Sequence, residues 1–259
     1  MEIASLAPAV EPIFWKHVNQ DIPHYFFFAF DWKYNRETTE ILLALTEDRI
    51  DGMMLLYRQS IVQLRGSREA VRALLNKLSL EKVELQAPIE HKREVLKKYK
   101  PILKQSHEMM LMTLQRGEQK PQSQHSVVNL NVSDAENIAA IMNKGDPEFW
   151  GAITSQNITE GIGKGVNWLG VKLNGELVSM GSARLTEWAG HIGIVATREG
   201  HRNKGYATSI VSELVKRIFE KLSLAMIYVL VENSPAVRAY EKVGFKSYRT
   251  YFFVRGEKR

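Results

Sequence analysis

Arg202, Asn203, Lys204, Gly205, Tyr206 and Ala207 stand between an apolar run that ends at Val195 and an amphipathic run from Tyr206 to Leu222. A strand, a turn carrying glycine and cations, and a helix are the expected order. Such a turn directs unbonded backbone N–H groups and the positive end of a helix at one point, which suits a phosphate. Gly205 lets an anion reach the backbone with no side chain in the way, and Ala207 is small. Arg202 and Lys204 add positive charge. The plain alternative is an ordinary glycine turn before a core helix, but that leaves the Arg-Asn-Lys run without a use.

Competing chemistries lack their residues. The chain has no Cys, so disulfides, zinc–thiolate sites and a cysteine nucleophile are excluded. There is no metal triad of His and carboxylates at helical spacing, so no metal is expected. Neither Gly-x-Ser-x-Gly nor Gly-x-x-x-x-Gly-Lys-Ser/Thr is present. His107 and His125 stand alone in the sequence, one beside a strand and one in a polar stretch.

The turn needs a scaffold, and the chain of 259 residues is long enough for two domains. Its apolar fraction of 44% supports real cores. The longest apolar run, Leu224 to Val231, is strand-sized and far short of the roughly 20 residues that span a bilayer. Glu2, Pro8, Glu11 and Pro12 do not resemble a signal peptide, so a cytoplasmic protein is expected. The formal charge of +6 suits an anionic cofactor, an acidic substrate or nucleic acid. The basic cluster His91, Lys92, Arg93, Lys97, Lys98, Lys100 and Lys104 reads as a solvated helix face. No zinc-finger or RNP-type motif accompanies it, so nucleic acid is not the expected partner.

Residues 116–126 contain no Val, Ile, Leu, Phe, Tyr or Trp. They read as a linker, dividing the chain into an N-terminal domain 1–117, a linker 118–126 and a C-terminal domain 127–259. In the first domain, Tyr25 to Trp32 reads as an aromatic buried strand. Strands at 40–46 and 50–57 form a hairpin about Glu47-Asp48-Arg49. A strand at 60–65, a helix capped by Ser67, a strand at 83–87, a basic helix at 90–99 and a strand at 109–114 follow. The second domain opens with a strand at 127–132. Ser133 to Glu136 read as a capping box, Asp146-Pro147 as a helix start, and Gly161, Gly163 and Gly165 as a loop. Asn174-Gly175 joins the hairpin 168–185. Strands at 190–197 and 225–231 flank the long helix, and a short helix from Ser234-Pro235 ends at Gly244, before a last strand at 248–254. The expected fold class is α+β with a mixed sheet.

Lys77-Leu78-Ser79-Leu80 recurs as Lys221-Leu222-Ser223-Leu224, 144 residues later. The expected elements around both copies run in the same order, which points to duplication. The first copy is shorter between its third strand and its helix and has no room for the phosphate turn. One cofactor site is therefore expected.

Arg202-x-x-Gly205-x-Ala207, then Asn233, then Tyr240-Glu241-Lys242-Val243-Gly244-Phe245 lie in order on a strand–helix–strand–helix scaffold. Over residues 127–255 this resembles a domain of the GNAT superfamily of N-acetyltransferases. The tandem with a degenerate first copy resembles two-domain members such as the glycine N-acyltransferases. The resemblance implies acetyl-CoA as cosubstrate, with the N–H groups of Asn203, Lys204, Gly205, Tyr206, Ala207 and Thr208 on its diphosphate. It implies that Val195, Ala196 and Thr197 end a strand that splays at a bulge, their backbone meeting the pantetheine amides and the thioester carbonyl. Tyr240 would protonate or stabilise the leaving thiolate. Asn233 would cap its helix or bond the cofactor chain. His191, in a register where some relatives carry a Glu base, is the candidate base; a surface histidine is the alternative, and Glu187 reads as a turn residue.

These features imply an acyl-CoA-dependent N-acyltransferase, foremost an acetyltransferase acting by direct attack of an amine, with the N-terminal domain walling the acceptor cleft. The acceptor stays open among a small amine, an amino acid, a peptide and a protein amine, as does oligomeric state. Two other readings stand: a non-catalytic acyl-CoA-binding module, and a tandem-domain aminoacyl transferase using charged tRNA.

Overall fold

Antiparallel strands with continuously buried middles start the fold. A computed structural model describes residues 1–47, 49–145 and 152–259. The chain divides into two units, one of residues 1–111, 230–232 and 249–259, the other of residues 112–229 and 233–248.

In the first unit, β1 (Glu2–Ser5), β2 (Thr39–Thr46), β3 (Arg49–Tyr57) and β4 (Ile61–Gly66) pair antiparallel in that order. Helix α3 (Arg68–Lys77) crosses over to β5 (Lys82–Pro88), which pairs with β4 in parallel. Ser67 caps α3, its hydroxyl accepting from the Ala70 amide at 3.2 Å. Helix α4 (Lys92–Lys98) leads into β6 (Tyr99–Gln115). The neighbour of β5 is β12 (Lys246–Lys258), paired antiparallel from Tyr251 to Glu257. Val71, Leu74, Leu85, Val95, Phe252 and Val254 share one buried cluster.

The second unit repeats this order. β7 (Val128–Leu130), β8 (Val166–Leu173), β9 (Glu176–Leu185) and β10 (Gly190–Thr197) are antiparallel neighbours. Helix α7 (Tyr206–Lys221) crosses to β11 (Leu224–Leu230), parallel to β10. Helix α8 (Ser234–Val243) precedes β12. The duplicated element order is therefore present in both units.

The first unit runs to residue 111 and also takes in residues 249–259, so the polar stretch 118–126 lies within the second unit. The polar stretch is also tied down: the Lys120 amide donates to Val243 O at 2.8 Å and the Gln122 amide to Ser212 Oγ at 2.8 Å.

Four local expectations are corrected. Residues 25–32 are helical, within α2 (Ile22–Tyr34), not a strand. Asp21 caps this helix through the His24 amide at 3.1 Å, and Pro23 occupies its first turn, so cap and burial override the β-preference of the aromatics. The capping box is Asn131 with Asp134, not Ser133 with Glu136, because Asn131 Oδ1 already accepts from the Ser133 amide at 2.9 Å. It opens a turn into α5 (Ala135–Gly145). Gly161 and Gly163 lie in α6 (Ser155–Gly163), nucleated by a Thr154–Asn157 capping box. The basic helix ends at Lys98, and β6 starts at once. The expected helix start at Asp146-Pro147 lies outside the described residues.

Among the described residues, no helix is long and apolar enough to cross a membrane, and no cluster of His, Asp and Glu is placed to hold a metal.

Candidate active site

Strand β10 leaves its parallel partner part-way along its length. The β10–β11 register is recorded for Gly190–Ile192 against Ala225–Ile227. Beyond Ile192, β10 follows β9 alone, and its register shifts between Ile192 and Val195. This is the bulge the resemblance implies, two to three residues earlier than Ala196-Thr197. Ser182 Oγ holds it open by accepting from the Ile194 amide at 3.2 Å. Val195, Ala196 and Thr197 then pair with Gly181, Met180 and Ser179. Ser179 Oγ bonds Ala196 O at 3.1 Å and Thr197 Oγ1 at 2.7 Å, which fixes the strand end.

Beyond β10 the chain turns into α7. Asn203 has φ 63° and Gly205 φ 82°, two left-handed residues on either side of Lys204, a conformation that Gly adopts freely and Asn tolerates. The first recorded helical bond of α7 runs from the Ser209 amide to Gly205 O at 3.0 Å. Among the described residues, the amides of Asn203, Lys204, Gly205, Tyr206, Ala207 and Thr208 have no recorded acceptor. They are a row of donors at the positive end of a 16-residue helix, which is what a diphosphate requires. Arg202 Nε lies 3.4 Å from Thr197 O and Lys204 Nζ 3.3 Å from Gly200 O, both on exposed side chains. Helix α7 sits close on the sheet: a β-carbon on Gly190 would come within 2.4 Å of Ile218 Cγ1.

Helix α8 carries Tyr240, the candidate proton donor. Asn233 caps it, Oδ1 accepting from the Ala236 amide at 3.3 Å. Its capping expectation is met, and its amide nitrogen remains for other partners. At the far end Gly244 adopts φ 114°, and the Gly244 and Phe245 amides both donate to Tyr240 O at 3.1 Å. Tyr240 is 5% exposed, with its ring edge-on to Phe245 at 6.3 Å. Burial raises its phenol pKa far above the ordinary value of 10.0. It therefore keeps its proton at neutral pH and is available as a donor.

His191 sits on β10 just before the bulge, paired across to Arg184 on β9. Its ring meets Tyr228 at 6.1 Å. Burial first, and the Arg184 guanidinium second, lower its pKa from 6.5 to about 4. It is neutral at pH 7 but too weak a base to store a proton there.

Several contributors were not expected from the sequence. Ser182 and Ser179 look like ordinary strand serines until the strand register is known. Gln124 and His125 sit on the phosphate turn: His125 Nε2 lies 2.6 Å from Lys204 O, and its ring is 4.2 Å from that of Tyr206. His125 is thus no isolated linker residue. Trp168 packs in the second unit's core with Ile138, Met142 and Met180. Phe149 and Trp150 lie outside the described residues.

Known proteins share this arrangement. The family described as FR47-like protein matches residues 168–254, a span that holds β10, the turn, Asn233 and Tyr240. An N-alpha-acetyltransferase of Sulfurisphaera tokodaii is 32% identical over 72 residues, covering 26% of this chain and 43% of that relative. The match thus spans less than half of the relative's length. A solved structure of a Drosophila protein covers 97% of this chain and 98% of its own, with a TM-score of 0.73 at 11% identity. An acetyltransferase from the GNAT family of Colwellia psychrerythraea covers 98% and 100%, with a TM-score of 0.60 at 14% identity. At such identities the likeness is one of fold, and it extends over both units.

Proposed function

We propose that this chain, whose residues 168–254 match the FR47-like family, is a GNAT-type acyl-CoA-dependent N-acyltransferase moving acetyl from acetyl-CoA to a primary amine. One observation carries this reading: the unbonded amides of 203–208 follow directly on a strand that has parted from its parallel neighbour. A diphosphate suits the first, and an extended amide-bearing arm suits the second.

Each residue then has a task. The amides from Asn203 to Thr208 take the diphosphate, and Arg202 and Lys204 swing from backbone carbonyls to its charge. The backbone at Val195–Thr197 bonds the pantetheine arm and polarises the thioester carbonyl, so charge developing on its oxygen meets a fixed dipole. The amine nitrogen forms a bond to the acyl carbon, and the carbon–sulfur bond breaks. Tyr240 gives its proton to the departing thiolate, and the proton lost by the amine restores it through water. His191, neutral at working pH, accepts a hydrogen bond from the attacking amine without holding its proton. Asn233 offers its remaining amide to the cofactor chain.

Titration calorimetry with coenzyme A and thiol release across a panel of amino acids, peptides and polyamines test this. Coenzyme A binding and acetyl-CoA-dependent thiol release with at least one amine are expected. Absence of coenzyme A binding overturns the reading; binding with no thiol release leaves only a binding module.

A further inference from the structure

Residues 118–125 run from one glycine of the motif to the other. At Gly244, the cap behind Tyr240, a β-carbon would stand 2.8 Å from Glu118 O and 3.4 Å from Gln119 Cα. At Gly205, the cap of α7, it would stand 2.6 Å from Gln124 Oε1. Between these points the segment is fastened by Lys120 N to Val243 O and Gln122 N to Ser212 Oγ, and Glu118 pairs with Lys246 at 2.8 Å. The absence of side chains at both glycines therefore serves a second purpose beside helix capping: it admits this strap.

The strap ends on the turn itself. His125 Nε2 is 2.6 Å from Lys204 O, so the protonated nitrogen donates to that carbonyl. A trans peptide is planar, with its C=O and N–H pointing opposite ways. Holding Lys204 O therefore fixes the direction of the Gly205 N–H. Gly205 is the residue of the turn least restrained by its own sterics, and Asn203 two positions before it is also left-handed, so the peptide needs an external restraint.

We propose that His125 is a positioning residue for the coenzyme A diphosphate: it orients the Lys204–Gly205 peptide from a strap anchored on α7 and α8. The proposal rests on the coenzyme A reading above. It assigns a cofactor-affinity role to a segment that lies outside residues 168–254 and has the composition of a linker.

The measurement is the dissociation constant for coenzyme A by titration calorimetry on the full chain, which needs no acceptor. His125→Ala should weaken binding by about tenfold, the loss of one pre-oriented charge-assisted donor. His125→Gln, whose amide N–H can reach the same carbonyl, should stay within about threefold of the parent. Neither should move the melting temperature of the ligand-free protein as the loss of a core contact would. Should His125→Ala fail to fold, Ser212→Ala loosens the strap without touching the turn and should weaken binding in the same direction. Parent-like affinity in His125→Ala, or a His125→Gln as weak as His125→Ala, overturns the proposal. A parent protein that binds no coenzyme A instead overturns the function itself, so the two failures are distinct.

Discussion

Tyr240 is fixed at both ends, its carbonyl by two cap amides and its ring by Phe245. Tyr240→Phe keeps that packing and deletes only the proton donor. Turnover should fall by about 10- to 100-fold, with coenzyme A affinity unchanged. Unchanged turnover in the thiol-release assay would remove Tyr240 from the mechanism. His191 makes a second demand on the same assay. Its folded-state pKa lies below 6.5, near 4, so the neutral ring persists on cooling the pH from 7 through 6 and becomes charged only toward 4. The acid limb of kcat/KM attributable to His191 should therefore lie near 4, and His191→Ala should remove that limb. A limb at 6.5 that vanishes in His191→Ala would show a solvated ring instead. These two residues, with Arg202, Gly205 and Asn233, stand out as candidates in the sequence because they are spaced along one strand–helix–strand–helix run. Ser182 and His125 were not, since each acts on a backbone group far away in sequence: His125 meets a carbonyl 79 positions on.

At the scale of elements, β10 has to be both a core strand and an open one. Its first half is buried against α7 and paired on both sides; its second half gives up one partner. Ser182, 4% exposed, reconciles the two by satisfying the Ile194 amide that the bulge releases from the ladder. Ser182→Ala leaves that N–H without its acceptor, at a cost of about 1–3 kcal/mol. A lower melting temperature and a raised KM for acetyl-CoA are expected together, and a variant that melts like its parent would place the bulge's support elsewhere. The Asn174-Gly175 hairpin, with φ 50° and 85°, and the α3 cap at Ser67 followed from local chemistry alone. The bulge and α2 did not. An alternation of apolar residues marks a strand but not where its register slips, and Tyr25–Trp32 has the composition of a strand while Asp21, Pro23 and burial among helices make it a helix.

For the molecule as a whole, the informative feature is that the last strand of the sequence completes the first unit. Tyr251 to Glu257 pair with Pro88 to Lys82, and Phe252 and Val254 enter the core around Leu74 and Leu85. Tyr251 also closes a buried polar network. Its hydroxyl meets His24 Nδ1 at 2.7 Å, and its ring lies 4.5 Å from the Arg65 guanidinium. Arg65 is fully buried and bonded to uncharged oxygens: His24 O, Leu64 O, Gln63 Oε1 and Gln86 Oε1. Burial and Arg65 together push the His24 pKa to about 2, so the ring is neutral and does not add a second charge. A buried guanidinium held by neutral oxygens tolerates little exposure of its surroundings. Removing residues 249–259 therefore withdraws a strand, two core side chains and the aromatic face over Arg65 from one unit only. Hydrogen exchange should show the amides of β2 to β5 losing protection by orders of magnitude while those of β8 and β9 keep theirs. Equal loss in both sets would mean that the two units unfold as one, and unchanged protection in β5 would mean that β12 is dispensable. No reading of composition could have reached this outcome, because a pattern of apolar residues marks 248–254 as a strand without naming the strand it pairs with.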